Sequence, residues 1–159
     1  MSADFDTCWG LLSVNEGGFV VDDGGPTNWG VTEAVARRWG YTGDMSTMPQ
    51  STGRQIAMEE YWTPYNLQLL PTWAAFQVLD FVFNGGPAIR DLQMVVGVTV
   101  DGMLGIATAA AVTAMNPWEF TAKYNSKRLQ YLASLKQPAY ADGRMNRIAN
   151  NLLQGALPA

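Results

Sequence analysis

A mainly α-helical fold carrying one small β-hairpin or irregular loop is the class this sequence predicts. Three observations predict it. Apolar residues recur at helical spacing in segment after segment, each such segment is bounded by Gly, Pro or a capping residue, and Phe19–Val31 combines glycines and Pro26 with short β-prone pieces.

From Asp4 to Asn15, Phe5, Cys8, Leu11, Leu12 and Val14 repeat on a helical period, and Gly17-Gly18 stops the pattern, which puts Glu16 at the C-terminal edge of the first helix. Phe19-Val20-Val21, the following glycines and Pro26 predict the hairpin or loop. Thr32 has the character of an N-cap for a helix over 33–39. Further helices are predicted over 52–61, 72–84, 88–96, 106–115, 117–135 and 143–153. Gly85-Gly86-Pro87 and the turn Thr99-Val100-Asp101-Gly102 punctuate the chain most strongly, so a boundary is expected between about residues 85 and 97. No low-complexity linker separates the two parts, and they are expected to pack together.

Composition narrows the function. At 159 residues the chain can build one good core, with room for a helical appendage but not for two large domains. Ten Lys and Arg against 14 Asp and Glu leave a net charge of −4, which gives no electrostatic reason to expect nucleic acid or an anionic membrane as partner. With no His and a single cysteine, Cys8, thiol catalysis, a Cys/His metal site and an internal disulfide are disfavoured, and Cys8 is expected to be a small buried residue of the first helix. The first residues lack a basic and an apolar signal region, and the apolar stretch from Trp73 to Phe83, interrupted by Gln77 and Asp80, is too short for a bilayer. The expectation is synthesis in the cytoplasm.

The chemistry centres on Asn15-Glu16-Gly17-Gly18-Phe19 and the turn Asp22-Asp23-Gly24-Gly25-Pro26-Thr27-Asn28-Trp29-Gly30. Glycosidic cleavage needs a carboxylic acid on one side of the sugar bond and a carboxylate or an oriented water on the other, and it needs no His. Glu16 is the candidate acid, and nearby aromatics such as Phe19 or Trp29 could supply the apolar wall that favours its protonated form. The adjacent glycines carry no Cβ to hinder a bulky polymer. Asp22 has two readings of equal weight, a catalytic carboxylate or a side chain that caps its own turn. Thr27 could help hold a water. Asp80 and Asn84 lie four apart on one helical face with Gln77, where a buried packing network is the weightier reading and Asn84 lining a sugar cleft the other. Trp62 and its aromatic neighbours could stack on sugars. Lys123, Lys127, Arg128, Arg144 and Arg147 recur at helical spacing and are expected on a solvated face.

On Glu16-Gly17-Gly18-Phe19 and the string Gly24 to Thr32, the chain resembles glycoside hydrolase family 108, the N-acetylmuramidases of phage endolysins and some bacteria. The likeness continues through Tyr61-Trp62 and Ala75 to Asn84. From Leu92-Gln93 through Asp101-Gly102-Met103-Leu104-Gly105 to the arginine-bearing final helix, the chain is similar to the family's companion peptidoglycan-binding module. The resemblance implies a lysozyme-like fold, with a catalytic lobe over residues 1–90 and a helical module over 91–159 packed against it. It implies cleavage of the β-1,4 bond between N-acetylmuramic acid and N-acetylglucosamine, with Glu16 as acid; a more distant likeness to phage lysozymes adds Asp22 and Thr27. Trp29, Trp62, Asp80 and Asn84 are the expected substrate-binding residues. The chain departs from the family pattern in the short segment after Glu16, at Asp23 where proline is common, and at Arg144 where an aromatic is usual. Expected are no metal or organic cofactor, bacterial peptidoglycan as partner, and a monomer that reaches the wall by holin release, lysis or virion delivery. A lytic transglycosylase, or a non-catalytic wall-binding or virion protein of the same fold, is the alternative.

Overall fold

The computed structural model describes residues 3–16 and 18–154, without the side chains of Asn15 and Glu16. The element order is α1 (Phe5–Glu16), β1 (Val20–Asp22), β2 (Gly25–Asn28), β3 (Val31–Thr32), α2 (Glu33–Trp39), α3 (Gln50–Ala57), α4 (Thr72–Phe83), α5 (Ala88–Val96), α6 (Ile106–Ala114), α7 (Pro117–Ser134) and α8 (Ala141–Gln154).

The expected hairpin is a three-stranded antiparallel sheet in chain order, with Val20 opposite Thr27, Asp22 opposite Gly25, and Asn28 opposite Val31. Its first turn is Asp23-Gly24, and the Asp22 carboxylate holds that turn by accepting the Gly24 amide at 2.8 Å. Its second turn is Trp29-Gly30, both at positive φ (52° and 73°), the backbone that a tight antiparallel connection requires. A tryptophan there is costly by sterics. Two contacts hold it: the indole N–H donates to the Met48 carbonyl at 2.9 Å, and the side chain packs on Gly53, where an added Cβ would stand 2.9 Å from the Trp29 Cβ.

Helix α4 is the axis of the molecule. Every residue from Ala74 to Val82 is buried, so it is covered on all sides, as its apolar sequence requires. Helix α1 lies on one flank, while α5 and α7 cover others. The main core runs without a break from Phe5, Trp9 and Leu12 through α4 to Leu92, Val112, Phe120 and Tyr124, so residues on both sides of the punctuation at 85–97 share one apolar interior. A smaller cluster of Val31, Ala36, Met45, Met48 and Ile56 sits under the sheet, with Trp29 and Phe83 touching both clusters.

Caps follow the sequence signals. Thr32 accepts the Val35 amide at the start of α2, and Asn116 accepts those of Trp118 and Glu119 ahead of Pro117, the first residue of α7. Two helix starts differ from expectation by two residues. Helix α3 begins at Gln50 rather than Thr52, because Pro49 sits at the N-cap and its carbonyl accepts the Thr52 and Gly53 amides. Helix α8 begins at Ala141, two residues before the predicted start at Gly143, because the 3₁₀ turn Pro138–Tyr140 leads directly into it. Among the described residues no helix is long and apolar enough to cross a membrane.

Candidate active site

The sheet and the C-terminal helix face each other across an open cleft of about 680 Å³. Asp22, Gly24, Thr27 and Thr32 form the sheet wall, Asn84 at the end of α4 contributes from the floor, and Ala139, Tyr140, Gly143, Arg144 and Arg147 form the opposite wall. The alternation of a strand selects Thr27 for this side, while its neighbour Pro26 lines a separate depression with Phe19, Glu33 and Arg37. The Tyr140 hydroxyl lies 3.5 Å from Asp23 Oδ2, so the hairpin tip and the α7–α8 connection meet, although 117 positions separate them.

Three of the expected site residues, the catalytic candidates Asp22 and Thr27 and the substrate-binding candidate Asn84, therefore line one cleft. Glu16 closes α1, and its side chain lies outside the described residues, as does Gly17. Only four residue steps separate Glu16 from Val20, the first residue of β1, so chain connectivity keeps the end of α1 within about 14 Å of the sheet. One oxygen of Asp22, Oδ1, makes the turn-holding bond to Gly24; Oδ2 takes no part in that turn.

The remaining expected residues lie elsewhere. Trp62 is in the core, 5.2 Å from the Phe5 ring and edge-on to it. Tyr61 packs on Phe83. Trp29 is half-buried, with its indole turned to Met48. Asp80 is fully buried, which corrects its placement on a sugar-binding surface: its carboxylate is closed by Arg128 at 2.5 Å, by Arg147 Nε and Nη2 at 2.9 and 2.6 Å, and by Asn151 Nδ2 at 2.7 Å. Gln77 and Asn125 extend the network, Gln77 donating to the Asn151 carbonyl at 2.7 Å and Asn125 to Gln77 at 3.0 Å. Burial alone would push the Asp80 carboxyl up, but the Arg128 and Arg147 cations, with the hydrogen bonds from Arg147 and Asn151, hold it below the usual carboxylate range. Asn84 caps the same helix, donating to the Asp80 carbonyl at 2.5 Å.

The solvated basic face expected for α7 and α8 is likewise corrected in part. Arg128 is only 2% exposed, and Arg147 spans from Asp80 to the cleft. The sequence did hold a signal for this. A carboxylate inside a mostly apolar helix needs buried cations, and the arginines of the last two helices are among the few this chain has. Tyr140 and Arg144 carried no such signal, since their place on the cleft wall follows from how α8 docks. Among the described residues no group of three or more His, Cys, Asp or Glu side chains could hold a metal ion.

A helical body with a small antiparallel sheet on one side of a polar cleft is a lysozyme-like architecture. Residues 11–86 match the family model for glycosyl hydrolase 108, a stretch that runs from the second half of α1 past the end of α4 and so holds the sheet wall and floor of the cleft. Over that stretch the chain is similar to glycosyl hydrolase 108, a family that degrades peptidoglycan, and it is a glycoside hydrolase. The structure of Brucella abortus SagA is similar to it over almost the whole length, with a TM-score of 0.83 at 29% sequence identity, covering 96% of this chain and 93% of that one. Among curated proteins, none matches this chain.

Proposed function

We propose that the protein is an N-acetylmuramidase that cleaves the β-1,4 bond between N-acetylmuramic acid and N-acetylglucosamine in bacterial peptidoglycan. Glu16 protonates the leaving oxygen, and Asp22 Oδ2, with the Thr27 hydroxyl, orients water on the opposite face of the sugar. The observation that carries this reading is the convergence of Asp22, Thr27 and Asn84 on one cleft within the matched domain, close in chain to Glu16. That cleft is open to solvent, as a polymer requires. A water between the two carboxyl groups needs them roughly 6.5–9.5 Å apart and gives inversion, whereas about 5 Å would give a covalent, retaining route.

A second reading is favoured by one bond. Asp22 Oδ1 is spent on the Gly24 amide, as expected of an aspartate with a purely structural duty in its turn. If that is its whole role, Glu16 acts alone and the enzyme is a lytic transglycosylase that leaves 1,6-anhydro ends. We place the protein as a monomer acting on the wall after holin release, lysis or virion delivery.

Digestion of purified peptidoglycan, borohydride reduction of the products and mass spectrometry separate these readings. Reducible muramic acid ends from the wild type and none from Glu16→Gln are expected. Anhydro ends would transfer the assignment to a transglycosylase. No release from the wild type, with binding to sacculi retained, would make it a wall-binding protein.

A further inference from the structure

Arg144 stands apart from the other arginines near the cleft. Arg128 and Arg147 are both committed to Asp80, whereas Arg144 pairs with no carboxylate among the described residues. Yet it is held in place by uncharged groups: its Nη2 donates to Gln137 Oε1 at 2.7 Å, and its guanidinium carbon lies 5.3 Å from the centre of the Tyr140 ring. Arg144 lines both the cleft and the apolar groove of Leu129, Leu132 and Met145, so it stands where the two meet. A guanidinium carries five N–H donors in a fork that fits a carboxylate, and the contact to Gln137 engages only one nitrogen.

The charge around it gives this geometry a use. The chain carries a net −4, and the sheet wall facing Arg144 presents Asp22, with Asp23 beside it. A substrate bearing carboxylates is repelled by such a surface unless a cation meets it locally. Resting on the muramidase reading above, we propose that Arg144, seated by Gln137 and Tyr140, is a substrate-binding residue that takes a carboxylate carried on the muramic acid substituent. Two sources share that chemistry: the lactyl carboxylate of peptide-free glycan, and the carboxylates of the stem peptide, whose attachment turns the lactyl group into an amide. Arg144 thus sets preference for substituted sugars rather than performing chemistry, and it comes from the half of the chain outside the matched domain.

The test compares wild type, Arg144→Gln and Arg144→Lys on three soluble ligands: peptide-free muramic acid–glucosamine oligomers, the same oligomers with stem peptides, and neutral N-acetylglucosamine oligomers. Binding is read by calorimetry and cleavage by kcat and KM, with circular dichroism melts to check folding. For Arg144→Gln, loss of a partly solvated charge-assisted contact predicts KM and Kd raised about tenfold on a carboxylated ligand, a smaller change in kcat, and unchanged binding of the neutral oligomer. Arg144→Lys recovers part of the loss. A loss confined to peptide-free oligomers identifies the lactyl carboxylate as the partner, and one confined to stem-bearing oligomers the peptide. Equal weakening on all three ligands, or none on any, overturns the proposal. If the wild type binds carboxylated oligomers through Arg144 but cleaves none, the subsite stands and the muramidase reading falls.

Discussion

Arg147 grips Asp80 through Nε at 2.9 Å and Nη2 at 2.6 Å across 67 positions of sequence, which ties the last helix to the central one directly behind the cleft. Arg128 closes the other carboxylate oxygen from α7. One buried charge thus anchors both C-terminal helices, and Arg147 also lines the cleft, so packing and site geometry share a residue. Removing Asp80 strands two cations, one of them fully enclosed. Asp80→Asn is expected to lose about 3–5 kcal/mol of stability in urea unfolding, the scale for breaking a buried pair at one partner.

The same network predicts how the matched half behaves alone. A fragment ending at residue 90 would carry Asp80 without Arg128, Arg147 or Asn151, and α4 without the cover of Phe120 and Tyr124. It is expected to lack a cooperative thermal transition. A well-folded fragment, shown by dispersed amide resonances in NMR, would refute this.

Stability should depend on acid in a defined direction. The folded Asp80 carboxyl lies below its ordinary value of 3.8. A depressed carboxyl contributes stability that is fully present above its unfolded pKa and lost as pH falls through the folded one. The contribution of Asp80 is therefore constant from neutral pH down to about 5 and declines below about 4. Melting temperatures of wild type and Asp80→Asn should converge as pH drops below that value and stay parallel above it.

Cys8 is fully buried, and burial, with a smaller effect from Asp4, pushes its thiol up to about 12. Ionising it at neutral pH would require opening α1. The native protein is expected to leave an aromatic disulfide reagent unreacted at pH 8, and one thiol should titrate at once in denaturant. Rapid reaction of the native protein would mean that α1 opens readily.

Gly86 makes a close approach that no other residue could. A Cβ there would stand 1.9 Å from a Phe81 ring carbon. Gly86→Ala is expected to cost about 1–3 kcal/mol through forced repacking, a fall in Tm of a few degrees for a chain of this size. Because Phe81 also packs against Tyr124, Tyr131 and the Arg128 guanidinium, the strain should reach the Asp80 network. A near-UV dichroism change would report it.

Local signals determined much of this protein. Periodicity, glycine and proline placement, and a cap such as Thr32 marked the described helices to within a few residues, because each depends on residues close in sequence. The class of glycoside hydrolase was legible for the same reason, since the stretch that suggested it, around Glu16, Asp22 and Thr27, lies within twelve positions. Tertiary structure alone decided the rest. Asp80 and Trp62 each had a cleft reading beside a core one, and which they take depends on partners distant in sequence, Arg147 for the one and Phe5 for the other. The cleft's second wall, with Tyr140 and Arg144, exists because α8 docks beside the sheet. Nothing in the local sequence of α8 encodes that placement. It is imposed by a buried carboxylate that must be neutralised and by an apolar helix that must be covered on every side.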